Sequence, residues 1–103
     1  MTQSHTLLFG KELSLIAYPK VRHSFLLLGY PLLLSPAEFR LLSSVINSDL
    51  NARTSAALSA LTKIPAAQIA VLVTRINRKA IVISGRKLIL GKSHHGYQLN
   101  PYL

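Results

Sequence analysis

The 103-residue sequence contains no cysteine, which excludes disulfides, thiolate zinc sites, iron–sulfur clusters and a cysteine nucleophile. It is also poor in acid. Glu12, Glu38 and Asp49 are its only carboxylate side chains, and none stands near a histidine in sequence. Little is left for a Ser–His–Asp triad, so no enzyme is expected. No apolar run approaches the roughly 20 residues a membrane helix needs, so no membrane partner is expected. The longest, Phe25 to Leu34, contains Gly29 and Pro31 and reads as paired strands. With no cysteine and no secretory signal, a reducing cytoplasm is the expected location. Internal repeats, low-complexity tracts and linkers are absent, and one domain over residues 1–103 is expected.

What is present is basic charge, unevenly placed. Residues 1–50 carry four basic side chains against the three acids. Residues 51–103 carry eight basic side chains and no acid, within a formal net charge of +9. Such a half is the electrostatic footprint of a polyanion binder, with an ordinary basic protein as the plain alternative. Half the residues are hydrophobic, enough for a real core.

Residues 6–34 read as an N-terminal antiparallel sheet of three or four strands. Leu7–Phe9, Leu13–Ala17 and Ser24–Leu28 are β-prone pieces, and Gly29-Tyr30 is the expected turn into Pro31–Leu34. Three helices are expected over residues 35–80. Ser35-Pro36-Ala37-Glu38 is a capping box, followed by Phe39, Leu42, Val45 and Ile46 at helical spacing. Thr54 is expected to cap a short second helix with Leu58 and Leu61 inward, and Pro65 to sit in the first turn of the third. In that third helix Ile69, Val73, Ile76 and Ala80 form an apolar stripe. Gln68, Thr74, Arg75, Arg78 and Lys79 lie opposite, interrupted by Val71. Residues 86–100 read as a hairpin, with strands Lys87–Leu90 and Gly96–Leu99 around a polar loop, Gly91 to His95. The fold class is therefore α+β: a winged helix-turn-helix with an N-terminal antiparallel sheet, three helices and a C-terminal β-hairpin wing.

Three motifs give the chain a resemblance to the bacterial OmpR/PhoB-type response-regulator DNA-binding domain. Leu32-Leu33-Leu34-Ser35-Pro36-Ala37-Glu38-Phe39-Arg40-Leu41-Leu42 resembles the family's L-T-P-x-E-F-R-L-L run. Val71 to Lys79 is similar to its recognition-helix pattern, and Gly96-Tyr97-Gln98-Leu99 to the G-Y-R-L that follows its wing. The N-terminal sheet also matches. Leu72 and Asn77 stand where the family usually has His and a second Arg, and the wing, Gly91 to Tyr97, has no arginine. The segment from Leu58 to Ile69 is several residues short, in the region where the family can contact RNA polymerase. No receiver domain is read, and Asp49 lies in a helix-connecting turn rather than at a phospho-acceptor site.

The resemblance implies a sequence-specific transcriptional regulator bound to double-stranded DNA. RNA polymerase and a second copy of the chain on DNA are its further candidate partners. The third helix would enter the major groove and the wing would meet the adjacent groove or the backbone. Arg75, Arg78 and Lys79 are the main candidate contacts, as guanine readers or phosphate anchors, against the plain alternative of a solvated helix face. Gln68, Thr74 and Asn77 are candidate polar contacts, Asn77 as an adenine reader. Thr54 would present helix N-terminal amides to a phosphate, with Arg53 and Lys63 as backbone contacts at best. Lys92, His94 and His95 are the candidate wing contacts. Two adjacent histidines without cysteine or nearby carboxylates make a poor metal site, and no metal or other cofactor is expected. Two other functions stay open: a winged helix used for protein interaction through Val71 and Leu72, and a nonspecific nucleic-acid binder.

Overall fold

A computed structural model describes residues 6–9, 12–17, 22–48, 52–92 and 96–100. The element order is β1 (Thr6–Phe9), β2 (Glu12–Ala17), β3 (Ser24–Leu27), β4 (Tyr30–Leu33), α1 (Pro36–Asn47), α2 (Ser55–Thr62), α3 (Ala66–Ser84), β5 (Ile89–Lys92) and β6 (Gly96–Leu99). The first four strands form an antiparallel sheet in the order β1-β2-β3-β4, and β5 and β6 pair as a hairpin. This is a winged helix preceded by a four-stranded sheet, as the sequence predicts.

The turn between β3 and β4 lies one residue earlier than expected. Leu27 pairs with Tyr30, so Leu28 and Gly29 are the central residues. Both have positive φ, 53° and 84°, the geometry of a tight hairpin turn that follows the twist of the strands. Glycine takes the second central position at no cost, whereas Leu28 accepts a left-handed backbone. Across the pair, Phe25 opposes Leu32, and both are buried. Phe25 stacks on Phe39 of α1 at 5.2 Å between ring centroids, which docks the sheet on the first helix.

The capping box forms as read. Ser35 Oγ accepts from the Glu38 N–H at 3.2 Å, and the Ser35 N–H donates to Glu38 Oε1 at 2.9 Å, with Pro36 opening the helix. Such a cap contributes about 1 kcal/mol. Thr54 caps α2 through its hydroxyl oxygen, which accepts from the Ala57 N–H at 3.1 Å. Leu61 is the first correction: it is 54% exposed, and Thr62 takes the inward place. One helical turn after Leu58 is position 62, not 61, so Thr62 continues the buried face. Its hydroxyl donates to the Leu58 carbonyl at 2.6 Å and accepts from the Ile64 N–H at 3.2 Å.

Lys63 ends α2 in the left-handed region, φ 65°. Pro65 lies at the N-cap of α3, one position before the first turn it was expected to enter. The two helices meet at 92°, a helix-turn-helix angle. The third helix runs to Ser84, beyond the expected end at residue 80, and stops where Gly85 turns left-handed at φ 76°. The β-branched run Ile81-Val82-Ile83 is a weak helix former, and Gly85 supplies the physical stop. Strand β5 also differs from the reading: it covers Ile89–Lys92, so Gly91 and Lys92 belong to the strand rather than the loop.

Leu41, Leu42, Leu58, Ile64, Ile69, Ile76, Ala80, Leu88 and Ile89 are all buried in one core with the inner face of the sheet. The hairpin is tied to the helices through Arg53, whose N–H donates to the Tyr97 carbonyl at 2.9 Å and whose carbonyl accepts from the Tyr97 N–H at 2.7 Å. Gly96 has φ 97° and faces the Arg53 backbone so closely that a Cβ there would overlap the carbonyl. Among the described residues no single helix is long and apolar enough to cross a membrane.

Candidate nucleic-acid interface

The inner face of α3 is fixed by Ile69, Leu72, Val73, Ile76 and Ala80, all buried. At about 100° per residue, the positions directly opposite are Ala67, Val71, Thr74 and Arg78, and all four are exposed. Gln68 and Arg75 flank this stripe and are exposed as well. Gln68, Thr74, Arg75 and Arg78 therefore share one solvent-facing surface of a long helix. The Thr74 hydroxyl donates to the Ala70 carbonyl at 3.0 Å, within the helix.

Asn77 is a correction. It is only 8% exposed, and its amide is committed inside the molecule. Its Nδ2 donates to the Ile89 carbonyl at 2.9 Å, and its Oδ1 accepts from the N–H groups of Leu88 and Ile89 at 2.9 and 2.8 Å. Position 77 lies four residues after Val73 and one after Ile76, on the margin of the buried face where α3 meets the wing. An amide is needed there because the backbone of Leu88 and Ile89 arrives with polar groups unpaired. Asn77 is a clamp between helix and wing, with its amide oxygen and its Nδ2 both bonded to the wing backbone.

Lys79, exposed on α3, is tied to the first helix and the strand before it. Its ammonium pairs with Glu38 Oε1 at 2.6 Å and donates to the Leu33 carbonyl at 3.1 Å. Burial alone would raise the Glu38 pKa. The Lys79 hydrogen bond, the Ser35 N–H, and the charges of Lys79 and Arg75 outweigh burial and hold the carboxyl below its ordinary value. Glu38 thus joins the α1 cap to α3, a structural role the capping box predicted in part. Leu72, the other half of the apolar protein-contact face, is buried, and only Val71 of that pair meets solvent.

A shallow cavity of about 250 Å³ lies between α3 and the segment that enters β5. It is lined by Thr74, Asn77, Arg78, Ile81 and Lys87. Lys87 was not singled out in the sequence. The only available signal was its place just before the first wing strand, and its approach to Arg78 depends on the helix end at Gly85. Arg53 and Thr54 stand at the α2 start. The Arg53 Nε donates to Ser48 Oγ, and Thr54 is exposed with its side-chain oxygen in the helix cap. Lys63 is exposed at the end of α2. Lys92 pairs with Gly96 at the far end of the wing strands. His94 and His95 lie outside the described residues. Among the described residues no group of three or more His, Cys, Asp or Glu side chains is placed to hold a metal ion.

No family model and no curated protein matches the sequence. Among solved structures, the chain is similar to the DNA-binding domain of Klebsiella pneumoniae RstA, determined in complex with the RstA box. The two are 22% identical over 94% of this chain and 98% of that one, with a TM-score of 0.71. That likeness runs through the N-terminal sheet, the three helices and the wing: the chain has the winged-helix fold of the RstA DNA-binding domain.

Proposed function

We propose that the chain is a sequence-specific, double-stranded DNA-binding regulator of transcription, of the OmpR/PhoB type. The observation that carries this reading is the outward face of α3. It presents Gln68, Thr74, Arg75 and Arg78 to solvent in a fold shared with a domain solved on its DNA box. In this reading α3 lies in the major groove, where arginine pairs bidentately with guanine. Arg78 and Lys87 flank the cavity beside the wing, a place suited to a backbone phosphate. Lys92, His94 and His95 extend the contact to the adjacent groove or backbone. The eight basic side chains after residue 50 supply the sequence-independent attraction.

Selection of bound duplexes from a random DNA pool, followed by mobility shift against unlabelled random competitor, tests this. A single enriched motif that resists the competitor supports the reading. Binding that random DNA competes away equally well makes the chain a nonspecific binder, and no binding near physiological salt removes DNA as the partner.

A further inference from the structure

The stripe of α3 that faces most directly away from the core is mainly methyl-bearing. Ala67, Val71 and Thr74 precede Arg78 at helical spacing, and all are exposed. Val71 is 48% exposed, an apolar side chain between the exposed Gln68 and Arg75 that flank the stripe. The Thr74 hydroxyl donates to the Ala70 carbonyl at 3.0 Å, which leaves its methyl group and the acceptor lone pairs of Oγ1 for a partner. Along the outward face, three successive positions thus offer hydrocarbon before the first guanidinium.

In the major groove, hydrocarbon has one sequence-specific counterpart, the C5-methyl of thymine. Building on the DNA-binding reading, we infer that Val71, with Ala67 and Thr74 beside it, reads thymine methyl groups. The operator therefore holds a short run of thymines opposite the first half of α3. From Ala67 to Thr74 the helix rises about 10 Å. At about 3.4 Å per base step, that length matches roughly three base pairs. Arg78 lies one further turn along, so its base contact falls at the edge of the run. Gln68 and Arg75 flank the stripe and meet the strand or phosphates to one side.

The distinguishing substitution is in the DNA. Deoxyuridine in place of thymidine removes the methyl and leaves every hydrogen-bonding group in place. The site selected from random DNA is synthesised with each thymine replaced singly, and affinity is measured by fluorescence anisotropy for the parent and Val71→Ala. Burying one methyl is worth roughly a three- to fivefold change in affinity, the loss expected at two or three thymines with the parent protein. Val71→Ala is expected to abolish the loss at one of them and keep it at the others, a coupling between one side chain and one methyl. Because Val71 lies on the solvent face, an unchanged thermal melt accompanies the variant. If a specific site is selected and uridine substitution changes nothing, or Val71→Ala leaves every uridine effect as it was, the inference fails and the DNA-binding reading stands. If no site is enriched, both fall.

Discussion

Asn77 and Ile89 exchange two hydrogen bonds, the Asn77 amide donating to the Ile89 carbonyl at 2.9 Å and accepting from the Ile89 N–H at 2.8 Å. Through this pair the third helix holds the first strand of the wing, and one buried amide sets the relation between the two elements. Asn77→Ala leaves the N–H groups of Leu88 and Ile89 buried without their acceptor. The expected loss of stability is about 2–4 kcal/mol, measured by urea unfolding. A base-contacting asparagine on the surface would leave stability within about 0.5 kcal/mol of the parent.

The Glu38–Lys79 pair makes stability depend on acid. The folded pKa of Glu38 lies below its unfolded value, so the contribution is present in full above the unfolded pKa, near 4.5, and is lost as pH falls through the lower folded value. Unfolding free energy should fall on acidification below about pH 4.5. Glu38→Gln should flatten that fall, because only two other carboxylate side chains exist in the sequence. Lys79→Met should lower stability at neutral pH by about 1–3 kcal/mol, since it leaves a buried carboxylate without its charged partner. Parallel acid limbs in parent and Glu38→Gln would mean that the pair does not set the acid sensitivity.

Lys63 closes α2 with φ 65°, a conformation that costs a residue with a Cβ. Lys63→Gly should raise stability by about 0.5–1 kcal/mol, net of the extra freedom glycine has in the unfolded chain. Thermal unfolding checks the sign.

Local chemistry made much of this fold legible in the sequence. Ser35-Pro36-Ala37-Glu38 holds a capping box in its own side chains, and Thr54 likewise marks a helix start without tertiary context. Spacing alone picks out Ile69, Val73, Ile76 and Ala80 as a core stripe. What the sequence does not carry is where distant elements meet. Asn77 and Lys79 both sit on the helix surface by periodicity. Their fates are decided by the backbone at Leu88 and Ile89 and by Glu38, which lies 41 residues away from Lys79. Leu61 and Thr62 both lie close to one turn after Leu58, and the packing of α2 buries Thr62 rather than Leu61. Lys87 becomes part of the candidate site only once the wing folds back beside α3.

In the proposed DNA complex Arg78 reads a base and Lys92 anchors the backbone. Arg78 stands on the outward stripe of α3, and Lys92 at the far end of the wing strands. Arg78→Ala should cost roughly 1–3 kcal/mol of binding and relax preference at one base position, whereas Lys92→Ala should weaken all sequences alike. Binding titrations on the selected site and on single-base variants of it distinguish the two. If Arg78→Ala changes neither affinity nor preference, the face of α3 assigned to DNA is wrong.

In the proposed function the basic half engages duplex DNA and α3 discriminates its sequence. Anisotropy titration of the selected duplex and a scrambled duplex across a salt series tests both parts together. With about five phosphates neutralised, log K should fall against log salt with a slope of about −4 to −5 on either duplex. The selected duplex should bind at least about a thousandfold more tightly than the scrambled one at physiological salt. A slope near zero would contradict DNA binding itself, and equal affinities for the two duplexes would contradict readout by α3.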